Sequence, residues 1–184
     1  MHKTSAFVLL ITGPAGAGKS ATAAAWAAAQ STPTAHIQLD NVRDFVVAGY
    51  ADPRDGWTEE TQRQYDIARE HCATMARRYV AAGISCAIDD AIFPLWDGVN
   101  YEGWRQLLLD APHAVVVLLP SQAAVAARNR SRHGRRLLAP EMLHTIYEMM
   151  EPWRDQRRWP VIDTSALSVA EAARAVQQAT ETMR

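Results

Sequence analysis

Apolar residues in this chain come in short unbroken runs, separated by longer stretches in which they recur at helical spacing. The first run is Ala6-Phe7-Val8-Leu9-Leu10-Ile11. It has no polar break, which predicts a strand covered on both faces, as in a parallel sheet. Residues 21–29 are seven alanines with Thr22 and Trp26, and alanine's propensity predicts a helix there. Residues 34–39 predict a short second strand. Val42, Phe45 and Val46 then recur at helical spacing and predict a helix over 40–50. Residues 51–56 (Ala-Asp-Pro-Arg-Asp-Gly) predict a turn-rich loop. Thr58 reads as an N-cap with Glu59 and Glu60 in the favourable first turn. The helix it opens carries Tyr65, Ala68, Cys72, Met75 and Tyr79 on one face and stops at Gly83. Apolar runs at 84–88, 114–119 and 159–162 predict three further strands. Ser121 caps the helix after the fourth strand, and Ser168 with Glu171 forms a capping box for the last helix. Strands alternating with helices predict an α/β fold: a five-stranded parallel sheet with helices on both faces.

Composition narrows the class. The 184 residues suit a single domain, 1–184, with 48% hydrophobic and 21% charged residues, as in ordinary globular chains. A formal net charge of −1 supplies no general attraction to nucleic acid or to an anionic membrane. No apolar run is long enough to span a bilayer. Residues 1–5 lead directly into the first strand, so a signal peptide is not expected. Cys72 and Cys86 stand 14 apart without a CxxC partner, and predict buried free thiols in a reducing cytoplasm. His36, His71, His113, His133 and His144 show no zinc spacing.

One segment carries chemistry on its own. Gly13-Pro14-Ala15-Gly16-Ala17-Gly18-Lys19-Ser20 matches G-x-x-x-x-G-K-[ST] at every fixed position and lies between a predicted strand and a predicted helix. Glycines allow such a loop to curl with its N–H groups turned inward at phosphate oxygens. The helix N-terminus adds partial positive charge at the same place. Gly13, Ala15, Gly16, Ala17, Gly18, Lys19, Ser20 and Ala21 therefore form the expected ATP phosphate site. Lys19 reaches the β- and γ-phosphates, and the Ser20 hydroxyl ligates Mg²⁺.

Ligands bind at the carboxyl ends of strands in open α/β sheets. Asp40 follows the second strand, Asp89 and Asp90 the third, and Asp163 the fifth. Asp89, at the end of an apolar strand, is the expected second holder of Mg²⁺ or its water. Asp90 is placed on the acceptor side. Turn formation or capping is the structural alternative for the pair.

These features together resemble the small P-loop kinases, the group that includes shikimate kinase, gluconate kinase, chloramphenicol phosphotransferase and adenylate kinase. The resemblance rests on Gly13–Ser20, on Asp40-Asn41-Val42-Arg43, on Asp89-Asp90 and on an arginine-rich segment after the fourth strand. It implies ATP- and Mg²⁺-dependent transfer of the γ-phosphate to a hydroxyl of a small metabolite or antibiotic. By that resemblance Asp40 accepts the hydroxyl proton and Arg43 grips an anionic group of the acceptor. Shikimate kinases carry D-x-D after the second strand, whereas this chain has Val42 in the second place, which argues against shikimate. A carboxylate can also take a hydroxyl proton on purely chemical grounds; the alternative for Asp40 is an N-cap of the helix beginning at Asn41.

The segment Arg128–Arg136 holds five arginines in nine residues. Arg128 and Arg132, four apart, are expected to share a helix face, with Arg135 beyond them. The resemblance makes 128–140 a lid whose arginines neutralise phosphate charge, work that suits the planar guanidinium. A solvated helix face or an RNA contact are the alternatives. The loop holding Thr164 is expected beside the adenine. Trp57 and Trp96, in loops next to the proposed catalytic segments, are the aromatic residues expected at the acceptor. The expected partners are a small hydroxyl-bearing molecule and ATP, with the chain a monomer or homodimer. Two other readings stay open from the sequence: an RNA-associated or switch-type NTPase, and a nucleotide-binding protein without catalysis.

Overall fold

Five parallel strands, β1 (Val8–Thr12), β2 (Thr34–Gln38), β3 (Ser85–Asp89), β4 (His113–Leu118) and β5 (Val161–Ile162), lie in the order β2-β3-β1-β4-β5. The structure, a computed structural model, describes residues 6–183 and their side chains apart from that of Arg135. The lead-in at residues 1–5, and with it the expectation about a signal peptide, lies outside the described residues. β1 is central and wholly buried. Its alternate residues serve two cores. Leu9 and Ile11 join Ala87, Val116 and Leu118 beneath Trp26 of α1 (Lys19–Ala28) and Ala173 and Val176 of α7 (Val169–Thr182). Val8 and Leu10 join Ile88, Val115 and Val117 on the other face. There they meet α3 (Glu59–Ala81), α4 (Tyr101–Leu108) and α6 (Pro140–Met150) through Tyr65, Cys72, Trp104, Leu108, Leu143 and Tyr147. Burying each large side chain of β1 contributes at most about 1.5–3 kcal/mol.

Several boundaries differ from the sequence reading. The helix after the phosphate loop starts at Lys19, inside the motif, because Gly18 (φ 93°) acts as its N-cap. The helix expected over 40–50 is only α2 (Leu39–Arg43), and Phe45 is 74% exposed. Beyond it, Gln64 of α3 holds the loop in place, donating to Gly49 O (2.8 Å) and accepting from Ala51 N (2.9 Å). The Thr58 cap of α3 is present, as a capping box with Thr61. The face of α3 expected to be buried continues from Cys72 to Ala73 and Ala76, while Tyr79 is 40% exposed. β5 is reduced to two residues. Helices α4 and α6 were not foreseen. In α5 (Gln122–Arg130), capped by Ser121 as expected, the helix ends before Arg132. Arg128 and Arg132 therefore do not share a helix face. Arg132 N turns back to Asn129 O (3.0 Å), and Ser131 Oγ bonds Arg128 O (2.8 Å), closing the last turn.

Both cysteines are buried and free. Burial raises both thiols, that of Cys86 to about 12, so neither is a nucleophile. Among the described residues no helix is long and apolar enough to cross a membrane.

Candidate active site

The chain order reverses at β1, with β3 on one side and β4 on the other. That switch point is where an open α/β sheet leaves a crevice at its carboxyl edge. The phosphate loop leaves β1 there. Gly13 has φ 146°, and a side chain on it would run into the carbonyl of Leu118 at the end of β4. Glycine is therefore required by the close approach of two strand ends. Gly18, left-handed, turns the chain into α1, so that the first N–H groups of the helix face the loop without intrahelical partners. The Lys19 ammonium donates to Gly13 O (2.9 Å) and Pro14 O (3.2 Å), curled over the loop. Its pKa is lowered, chiefly by lost hydration; Asp89, Asp40 and Asp90 oppose the shift and Arg132 adds to it. Those four charges therefore lie within electrostatic reach of one ammonium.

Asp89 ends β3. It is paired in register with Ile11 of β1 and Gln38 of β2. Ser20 Oγ donates to Asp89 Oδ2 at 2.5 Å, and Gln38 Nε2 donates to Ser20 Oγ at 3.0 Å. Asp89 Oδ1 accepts from His36 Nε2 at 2.6 Å. A hydroxyl and a carboxylate brought together beside a phosphate loop are the hard oxygen donors Mg²⁺ prefers, alongside phosphate and water. The residues present thus fit the ion.

Asp90 has a different environment. It is 4% exposed, and both its oxygens are engaged: Tyr65 OH reaches Oδ1 and Oδ2 at 2.6 and 2.7 Å, and Trp104 Nε1 reaches Oδ2 at 2.8 Å. The buried guanidinium of Arg69 stacks over the same two rings, at 5.5 Å from Tyr65 and 5.1 Å from Trp104. Buried negative and positive charge are thus joined through two aromatic rings. The twin acid therefore divides: Asp89 faces Ser20, and Asp90 is built into the wall behind.

Asp40 lies in the first turn of α2, one strand further out. The helix starts at Leu39 with Gln38 in the capping place, so Asp40 is not its cap. Its side chain is 77% exposed to the cleft. The surrounding walls still thin its hydration, and that raises its pKa, with Lys19 and Arg43 pulling the other way. Arg43 Nη1 is 3.8 Å from Asp40 Oδ1 while its own side chain is only 7% exposed. Its guanidinium sits over Tyr50 (5.3 Å) and Tyr65 (5.9 Å), and its buried Nε has no hydrogen-bond partner.

The two expected lid arginines separate. Arg128 Nη2 donates to Thr164 O at 2.5 Å, and Nη1 to Thr164 Oγ1 (3.3 Å), Gly16 O (3.4 Å) and Ala17 O (3.4 Å). Thr164, 2% exposed, itself donates to Ala17 O at 3.1 Å. Arg128 and Thr164 thereby clip the phosphate loop to the loop after β5. Among the described residues the Arg132 side chain makes one long bond, to Arg136 O (3.5 Å), and its pKa is lowered by lost hydration and by Arg136 while Asp40 opposes. Its side chain is half-buried, within electrostatic reach of Asp40 and Lys19. Segment 128–140 is the end of α5, a turn and a single 3-10 turn at Gly134–Arg136. Trp57 and Trp96 meet, with ring centroids 4.6 Å apart, and Trp57 also touches Tyr65 at 5.5 Å. They line a groove of about 1050 Å³ with Leu95, Met149, Gln62 and Arg69. None of the residues lining this groove belongs to the phosphate loop.

His36, Gln38, Tyr65, Arg69 and Trp104 were not foreseen as site residues. For the first two a signal was present: polar Thr34, His36 and Gln38 alternate along β2 on one side of Ile37.

Comparison with known proteins bears on the fold. Residues 8–151 match the family model described as AAA domain, and the chain belongs to that family. No curated protein matches the sequence. Among solved structures, an unliganded sugar kinase from Janibacter sp. HTCC2649 superposes with a TM-score of 0.69 at 15% identity, over 96% of this chain and 95% of the other. Shikimate kinase from Acinetobacter baumannii, in complex with shikimate, gives 0.64 at 13% identity, over 98% and 96%. A gluconokinase from Sinorhizobium meliloti 1021 gives 0.63 at 18% identity, over 97% of each chain. The fold is that of the P-loop kinases, spanned end to end.

Proposed function

We propose that this protein is an ATP- and Mg²⁺-dependent cytoplasmic kinase that transfers the γ-phosphate to a hydroxyl group of a small molecule. The observation that carries the reading is the convergence of three groups at one crevice: Lys19 on the phosphate loop, the Ser20–Asp89 pair, and Asp40 facing them from the next strand end. A bare nucleotide-binding site has no use for the third group.

The loop 13–21 holds the phosphates through its N–H groups, and the backbone around Thr164 borders the adenine. Ser20 and Asp89 hold Mg²⁺, which when bound neutralises charge on the β- and γ-phosphates. Asp40 orients the acceptor hydroxyl and takes its proton as the oxygen bonds to the γ-phosphorus. The bond from that phosphorus to the β-phosphate oxygen breaks, and its electrons leave with ADP. Lys19 and Arg132 meet the charge that builds on the transferred group. Arg128 keeps its charge beside the loop.

The buried, half-satisfied Arg43 suits an anionic or strongly hydrogen-bonding group of the acceptor. The acceptor's apolar body lies toward Trp57 and Trp96, with Asp90 serving indirectly by fixing Tyr65. The test is a library of hydroxylated metabolites and antibiotics incubated with labelled ATP and read by product mass. A phosphorylated small product supports the reading. ATP left intact across the library, or hydrolysed only when RNA is added, overturns it.

A further inference from the structure

We infer that His36 is a positioning residue of the metal site, holding Asp89 in the one orientation that leaves Oδ2 for Ser20 and the ion. The inference rests on the proposed kinase reading and extends it to a residue outside the phosphate loop and outside the acidic strand ends.

The register makes the contact possible. His36 pairs with Ala87, and Gln38 with Asp89. Side chains paired across parallel strands share a face, and Ala87 belongs to the core beneath α1. His36, Gln38 and Asp89 therefore stand together on the α1 face, where Ser20 is the second residue of the helix. From His36, Asp89 is the diagonal neighbour, close enough for a long side chain to cross the gap. The crossing is made: Nε2 lies 2.6 Å from Oδ1. An ionised carboxylate only accepts hydrogen bonds, so the proton sits on Nε2. The far oxygen accepts from Ser20 at 2.5 Å, and Gln38 holds Ser20 at 3.0 Å. Two polar residues of one edge strand thus brace both members of the oxygen pair, His36 the carboxylate and Gln38 the hydroxyl.

An aspartate side chain rotates freely about χ2, whose energy is broad for this terminal sp³–sp² bond. Without His36, no described residue anchors Oδ1, and either oxygen can turn to Ser20. Such outer partners typically carry about 10–100-fold in metal affinity.

The probe is Mn²⁺ titrated into the ADP-bound protein, with free ion followed by electron paramagnetic resonance. H36A is expected to weaken Mn²⁺ binding about 10-fold or more, while ADP affinity measured in EDTA stays as in the wild type. H36Q is expected to recover most of the loss, because its amide nitrogen comes close to the position of Nε2. Should H36A melt far below the wild type, H36L carries the same test, filling the space without a donor. D89N is the control, with a loss at least as large. If H36A and H36L bind Mn²⁺ like the wild type while D89N does not, His36 has no positioning role and the kinase reading stands. If H36Q binds as weakly as H36A, the hydrogen bond is not the cause. If D89N also keeps full Mn²⁺ affinity, the metal assignment itself is overturned.

Discussion

Arg128 and Arg132 look equivalent in the sequence, and their alanine variants should fail in different ways. Arg128→Ala removes the fork that joins Thr164 O (2.5 Å) to the carbonyls of Gly16 and Ala17 (3.4 Å each). Only the first of these bonds is short, so only it counts fully. A hydrogen bond from a charged donor is worth about 1.5–3 kcal/mol, and its loss leaves the Thr164 carbonyl short of a partner. Taking about 2 kcal/mol, and about 2–4 °C per kcal/mol for a chain of this size, the melting temperature should fall about 4–8 °C. ATP affinity should fall with it, because the clip sets the distance between the phosphate loop and the loop after β5. Among the described residues the Arg132 side chain offers one bond, at 3.5 Å, and Arg132→Ala should leave stability within about 0.5 kcal/mol of the wild type. Its turnover with the true acceptor should fall roughly 10²-fold, the scale for removing one charge-stabilising donor. Thermal melts, ATP calorimetry and initial rates on both variants separate the effects. Arg128→Ala melting like the wild type would refute the clip; Arg132→Ala with normal turnover would refute the role of Arg132 at the transferred group.

Three further outcomes follow from the same geometry. Asp40→Asn should lower transfer roughly 10²-fold with ATP affinity held; because thinned hydration raises the pKa of Asp40, folding disfavours its ionised form relative to the unfolded chain, and the acid limb of the wild-type rate profile should lie above the ordinary carboxylate value of about 3.9. The variant should lose that limb and be no less stable at neutral pH, and an unchanged limb would remove Asp40 as the base. Lys19→Ala should abolish ATP turnover with an unaltered circular dichroism spectrum, since among the described residues its ammonium bonds only to Gly13 O and Pro14 O and is already poorly hydrated; retained turnover would exclude the phosphate-loop reading. Tyr65→Phe leaves the buried Asp90 with its Trp104 bond but without the hydroxyl, and should cost about 1.5–3 kcal/mol in urea unfolding. An unchanged urea midpoint would show that Asp90 does not depend on that hydroxyl.

What the sequence determined by itself is what short-range physics decides. A full phosphate-loop motif, an unbroken apolar strand before it, and the caps at Thr58, Ser121 and Ser168 each need only a few neighbouring residues, and each stands in the structure where it was read. Local preference was overridden in two places: Gln64 of α3 holds residues 49–51, at the end of the stretch expected as helix, in a loop, and a local turn at Ser131 parts Arg132 from Arg128. The site needed the tertiary structure because its contacts cross the sheet. Ser20 and Asp89 meet over 69 residues, and His36 and Asp89 over 53. Those meetings depend on β3 lying between β1 and β2, an order that the composition of each strand by itself does not encode. The twin acids Asp89 and Asp90 make the same point at the scale of one residue. Adjacent positions at the end of a strand turn to opposite faces. Only the packing of α1 on one face and of Tyr65 and Trp104 on the other makes one of them a ligand and the other a part of the wall.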